Sequence, residues 1–367
     1  MIAFRKFTQV ITAVFLCVAC MMPSASVRAN PQQSSRTFED RDQGIRLYEQ
    51  GNIDGALKAL RSGLSKSKDD AIAWHYLGLS LVLKEDLKGA RKAFEKAVEL
   101  RQNFAPARAA LANTLLFTSK AKEAEKQAKQ ALVFDPQNAE AHYALGTIRL
   151  LQGSCAEALA QADAALVGKP DFPQSYLLRS QSLICEVAKT SLRPWTLDGA
   201  IYKTSVASTD LTKDEKLLRE KATAQRFKEA ASNLERFLQL APAVADAPLW
   251  REQMETLRLY AEPADKPDSE RTVFTTLEVT TKARVLSKPE PTYTKAARDA
   301  YVEGTVVLRA IFTADGNVKN ILVLSPLPNG LTERSINAAR KIKFQPATKD
   351  GRPVAVFIQI EYNFNLY

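Results

Sequence analysis

The sequence predicts a multi-domain protein: an all-α solenoid of paired helices, then a small α+β domain whose antiparallel sheet carries helices on one face. Three observations predict this. Small residues recur every 34 positions through the first half of the chain. Beyond a polar stretch near Pro267 the apolar period switches from about 3.6 to about 2. The 367 residues, 46% hydrophobic and 25% charged, match two or three soluble domains and exclude a polytopic membrane protein or a mostly disordered one. There are two histidines, His75 and His142, and four cysteines, Cys17, Cys20, Cys155 and Cys185, and no cysteine sits near a histidine, which makes a zinc site or a histidine-based triad a poor expectation. The expectation is a protein that is not an enzyme, with no catalytic residues, metal or cofactor.

Residues 1–29 read as a secretory signal peptide. Arg5 and Lys6 precede an apolar stretch from Val10 to Met22, and Val27-Arg28-Ala29 fits a small-x-small cleavage site before Asn30. Two other fates stay open. One is a retained inner-membrane anchor, although the apolar run from Phe7 to Met22 has 16 residues where about 20 span a bilayer. The other is a lipoprotein modified at Cys20, with Cys17 standing where a leucine-like residue is usual. Losing residues 1–29, which hold three basic groups and no acid, lowers the formal charge from +10 to +7. That mild excess is no nucleic-acid footprint and leaves membrane association open.

The solenoid is expected over residues 37–262. Gly44, Gly78, Ala112 and Gly146 share one repeat position, Ala56, Ala90, Ala124 and Ala158 a second, and Gly63, Ala97, Ala131 and Ala165 a third. Two antiparallel helices that cross closely need such residues, because larger side chains would push the axes apart. Leu77, Leu111 and Leu145 fill one complementary position, and Leu47, Leu81 and Leu115 another. Pro136 and Pro170 end their repeats, where a missing amide stops a helix. With Trp74-His75-Tyr76-Leu77-Gly78, these residues resemble tetratricopeptide repeats over about 37–70, 71–104, 105–138 and 139–172.

A fifth copy reads as split. Tyr176, Ser180 and Leu183 fit its first helix, Ala230, Leu234 and Pro242 its second, and an insertion near 187–226 separates them. Within it, Arg193-Pro194-Trp195 reads as loop, and Thr212 with Glu215 as a capping box. Phe237 stands where a small residue is expected. A further helix, about Ala247–Ala261, is expected to cap the array. The resemblance implies a concave face that binds extended peptides or partner helices. Carried over, its positions are Ile45, Tyr48, His75, Leu79, Val82, Leu83, Asn113, Leu116, Phe117, Tyr143, Leu150 and Leu151. Ile45 and Tyr76 replace two residues of the family's carboxylate clamp, so an apolar partner segment is expected. Cys155 and Cys185 are placed near the ends of equivalent helices in neighbouring repeats. A disulfide or two small buried side chains are both open there.

A polar linker, 263–271, leads to the last domain, 272–367. Val306, Leu308, Ala310 and Phe312 alternate as in a strand, Asp315-Gly316 makes a hairpin turn, and Val318–Leu324 forms the return. Leu331–Lys343 reads as a helix with Ile336, Ala339 and Ile342 on one face. Pro353–Asn365 reads as a long final strand. The residues Pro291-x-Tyr293, Ala296-Ala297, Glu303-Gly304-x-Val306 and Asp315-Gly316-x-Val318, then Ala338-Ala339-Arg340, Phe344-x-Pro346-Ala347, Gly351-x-Pro353-Val354 and Phe364-Asn365-Leu366, resemble the TonB C-terminal domain. Thr294 departs from the usual proline after the tyrosine.

That resemblance implies strand addition: the sheet edge grips an extended segment at the N-terminus of an outer-membrane receptor. The edge carried over is the last strand, with Val354, Val356, Ile358, Ile360, Tyr362 and Phe364. TonB-type transducers also carry an anchor histidine and a long Pro-rich spacer, whereas residues 1–30 hold no histidine and the repeats occupy the spacer's place. The expected function is a periplasmic adaptor that binds protein or peptide segments through both domains. An energy transducer anchored by an uncleaved N-terminus is the alternative.

Overall fold

The computed structural model describes residues 31–190, 213–262 and 271–366, apart from positions 119, 245, 246, 275, 277, 300 and 328. The export segment with Cys17 and Cys20, most of the insertion with Trp195 and Thr212, and most of the linker lie outside the described residues. Two compact units are present. The repeats up to Arg179 with Phe237–Asp246 form one; Ser180–Arg236 and Ala247–Tyr367 belong to the other.

Helices alternate through the repeats: α1 (Pro31–Glu49), α2 (Ile53–Lys66), α3 (Ala71–Leu83), α4 (Leu87–Leu100), α5 (Ala105–Phe117), α6 (Ala121–Phe134), α7 (Ala139–Leu151), α8 (Cys155–Gly168), α9 (Pro173–Thr190) and α10 (Lys213–Leu240). From residue 53 to 173 the starts of alternate helices fall 34 apart, so the sequence period is the structural one. Side chains start them. Asn52 and Asn138 each accept from one amide of the first turn, and Asp70 accepts from those of Ile72 and Ala73. The small residues sit at the crossings. Ala56, Ala90, Ala124 and Ala158 are all fully buried. A Cβ on Gly78 would lie 2.5 Å from Phe94 Cε1, and one on Gly146 would lie 2.6 Å from Leu178 Cδ2.

Ser180, in α9, donates its hydroxyl to the Ala230 carbonyl of α10 at 2.9 Å. Phe237 is fully buried despite standing at a small-residue position.

In the second unit the strands are β1 (Val273–Phe274), β2 (Arg284–Ser287), β3 (Gly304–Phe312), β4 (Val318–Ser325), β5 (Lys343–Gln345), β6 (Ala347–Lys349) and β7 (Arg352–Phe364). The main sheet runs β1-β7-β3-β4 with β6 also on β7, while β2 and β5 form a separate pair. It is mixed and not wholly antiparallel, because the short β1 joins β7 in parallel. One face packs beneath α13 (Leu331–Ala339). Val306, Leu308, Ala310 and Phe312 meet Val356, Ile360, Tyr362 and Phe364 there, with Leu331, Ala339 and Ile342 above them. The helix ends at Ala339, short of the expected Lys343, because Lys343 already belongs to β5.

Thr294, which stands where the resembled pattern has a proline, caps the short α12 (Lys295–Asp299). Its hydroxyl accepts from Ala297 N–H at 3.0 Å and donates to the Asn329 carbonyl. A proline at that position could offer neither bond.

Helix α11 (Ala247–Tyr260), the expected cap, packs against β4. Gln253 donates to the Ile321 carbonyl at 3.0 Å and the Tyr260 hydroxyl to the Asn320 carbonyl at 3.1 Å. Asn320 has φ +50°, and the β3–β4 register shifts beside it, so these carbonyls face the helix at a bulge. Behind them, the Arg309 guanidinium lies 4.9 Å from the ring centres of both Tyr260 and Phe357 and 6.0 Å from that of Phe227. Burial lowers the pKa of Arg309, and burial raises that of Tyr260 against the pull of the nearby cation.

Candidate functional site

The first candidate surface is the groove of the repeats, and packing claims much of it. Tyr48, Leu79 and Val82 belong to the apolar core of the first repeats, and Tyr143 to a core shared with Ala162 and Phe172. His75 is only 8% exposed, ringed by Tyr76, Phe94 and Phe104 at 5.2–5.7 Å. Burial lowers its pKa to about 4, so the ring is neutral, and its Nδ1 has no hydrogen-bond partner. These residues are consumed by contacts between helices and are not free lining. Ile45, Leu83, Asn113, Leu116, Phe117 and Leu150 are half-buried, and Leu151 is exposed. Asn113 donates to the carbonyls of Ala109 and Glu140, bridging α5 to α7. His142 is likewise structural, its two nitrogens meeting Gln161 Oε1 and the Pro136 carbonyl.

Cys155 opens α8, the second helix of its repeat, and does not close the first. Cys185 lies within α9. Both are disulfide-bonded.

The second candidate surface is the edge of β7. On one side β7 pairs with β3 from Val356 to Phe364. On the other, β1 covers Ala355 and Val356, while β6 pairs with Arg352–Val354, ahead of the stretch taken by β3. Beyond Val356 that outer side has no strand partner among the described residues. A residue's N–H and C=O point to the same side of a strand, and the side alternates along it. The Glu361 carbonyl faces outward, since Lys288 Nζ donates to it at 3.0 Å. The outward main-chain groups beyond β1 are therefore the Phe357 carbonyl and those of Gln359, Glu361 and Asn363, with the Glu361 carbonyl held only by the Lys288 side chain among the described residues.

The sequence located the strand but offered the alternate set. Val356, Ile360, Tyr362 and Phe364 put their side chains in the core, and the peptide groups of Ile358, Ile360 and Tyr362 turn towards β3. Val354 lies opposite β6. Hydrophobic alternation reveals which side chains are buried, whereas edge availability depends on which neighbour takes each peptide group.

Beside this edge runs the segment from Lys288 to Tyr293. The Lys288 ammonium lies 4.8 Å from the Tyr362 ring centre and 3.8 Å from a Glu290 carboxylate oxygen. The Tyr293 ring stands edge-on to Phe364 at 5.3 Å, and its hydroxyl donates to the Val302 carbonyl. Sequence reading missed Lys288. The signal available for it was a lysine followed by alternating prolines at 289 and 291.

Comparison with known proteins gives two family matches. Residues 26–167 match the cytochrome c-type biogenesis protein H TPR domain, and residues 289–366 match the Gram-negative bacterial TonB protein C-terminal domain. TonB of Escherichia coli is 35% identical over 81 residues, covering 22% of this chain and 34% of that protein. TonB of Vibrio cholerae is 35% identical over 85 residues, covering 23% and 35%. The chain thus spans about a third of the length of these curated relatives. Among solved structures, a thermophilic TPR protein of Thermus thermophilus is 16% identical, covering 61% of this chain and 99% of that one, with a TM-score of 0.42. The chain carries a tetratricopeptide-repeat domain followed by a TonB-type C-terminal domain.

Proposed function

We propose that the protein is a non-enzymatic adaptor of the Gram-negative envelope. Its repeats hold one partner, and its last domain captures an extended segment by strand addition on β7. The observation that carries this reading is the run of outward main-chain groups from the Phe357 carbonyl through Gln359, Glu361 and Asn363, which has no strand partner among the described residues. Backbone bonds on such an edge supply affinity, and alternating side chains set the register. The opposite edge is poorly suited, because α11 holds two carbonyls of β4 at its bulge.

The proposed partner of β7 is the N-terminal segment of an outer-membrane receptor. Half-buried Leu83, Leu116, Phe117 and Leu150 with exposed Leu151 suit an apolar helix or peptide in the repeats. Both matched domain types are typically non-catalytic.

A photo-crosslinking amino acid at Gln359 in the full chain, activated in living cells, tests the reading. Adducts containing a receptor N-terminal segment are expected. A label that reacts only with solvent, while the protein is folded and exported, sinks the strand-addition half.

A further inference from the structure

The two edges of the sheet are protected differently. On β4, Tyr260 is 6% exposed and belongs to a packed helix, so its bond to the Asn320 carbonyl is part of the fold. On β7, the one bond to an outward carbonyl beyond β1 among the described residues comes from the Lys288 side chain, at the end of a flexible stem. Lysine on an open edge is a common guard against uncontrolled pairing. The neighbouring segment cannot itself pair as a strand, since Pro289 and Pro291 have no N–H to give.

We propose that Lys288 is a displaceable guard of the β7 edge. It holds the Glu361 carbonyl in the unbound protein and yields it to an N–H of an incoming strand. This deepens, and rests on, the strand-addition reading.

Displacement is feasible on geometric grounds. The Lys288 side chain is 22% exposed, so its ammonium needs only a short swing to reach water. Glu290, 70% exposed and 3.8 Å away, offers an acceptor along that path. The stem can stay against Tyr362 while the head group moves. An added strand must break the guard's bond before gaining its own, so the guard lowers affinity for every strand alike. Its cost is the same for every segment, so only those whose bonds from Phe357 to Asn363 outweigh it bind measurably, and short or partial matches fall below that threshold.

The experiment uses the full chain and short synthetic peptides tiling the N-terminal segments of outer-membrane receptors, with affinities read by fluorescence anisotropy. Lys288→Met keeps an apolar stem over Tyr362 and removes the ammonium; Lys288→Arg keeps a donor. Peptides that bind the wild type are expected to bind Lys288→Met about three- to tenfold more tightly, the worth of one net hydrogen bond. Lys288→Arg is expected to stay near wild type.

Equal or weaker binding by Lys288→Met, with an unchanged circular-dichroism spectrum, overturns the guard and leaves strand addition standing. Gln359→Pro separates the two failures, because it deletes an outward N–H without removing a bond to β3. Peptide binding that survives Gln359→Pro overturns the strand-addition reading and the guard with it. So does an absence of binding to both the wild type and Lys288→Met.

Discussion

Single residues carry the repeat register and the charge state of its core. At Gly78 the distance to Phe94 leaves no room for a methyl group, and the ring is fully buried among helices. Gly78→Ala is expected to destabilise the protein by about 1–3 kcal/mol through overpacking, despite alanine's better helix propensity. Thermal denaturation checks this, and a raised melting temperature would refute it. His75 gives a pH signature. The unfolded ring takes up a proton below its ordinary 6.5, while the buried ring resists until about 4. The unfolded state therefore binds more protons between those values, and stability falls as pH drops through that window, by roughly 3 kcal/mol in full. In His75→Phe, which keeps an aromatic ring in place, the fall in melting temperature between pH 7 and pH 4.5 should be shallower. An identical slope would mean that the ring titrates freely. The sequence placed His75 on the inner helix of its repeat, but it could not show that Phe94 and Phe104 close around the ring.

Among elements, the most consequential is α11, read from sequence as a helix of nearly the right bounds and expected to cap the repeats. Its apolar face could not reveal its neighbour. In the structure Tyr260 and Gln253 hold the β4 bulge, and Arg309 stacks on Tyr260 and Phe357. Arg309→Met removes the cation from these rings while roughly keeping its length. The loss of cation–π attraction, about 1 kcal/mol, should loosen α11. Hydrogen-exchange mass spectrometry is expected to show faster exchange over residues 247–260 with little change in the repeats. Unchanged protection there would show that the aromatic contacts suffice. The final strand teaches a similar lesson at its edge. Its core side chains were legible from alternation, yet the outward groups at Phe357, Gln359, Glu361 and Asn363 were found only once β1 and β3 had taken their places.

For the whole molecule, the decisive question is what becomes of residues 1–30. Among the described residues no helix is long and apolar enough to cross a membrane. Mass spectrometry of the native protein from fractionated cells is expected to find a mature N-terminus at Asn30 in the periplasmic fraction. An intact N-terminus in the inner membrane would favour the anchored transducer over the adaptor, and a lipidated Cys20 would place the adaptor on a membrane surface.

The chain's own residues determined its order of parts: the 34-residue spacing of small side chains dictates paired helices, and the switch to alternation dictates a sheet. Both are periodic, local consequences of packing one face of an element, so they are written along the sequence. Tertiary structure alone decided which groups stay available. Burial removed His75, Tyr48 and Tyr143 from the groove, α11 took the β4 edge, and Lys288 came to rest on the Glu361 carbonyl. Each outcome depends on a partner distant in sequence, and no periodicity within one element encodes who that partner will be.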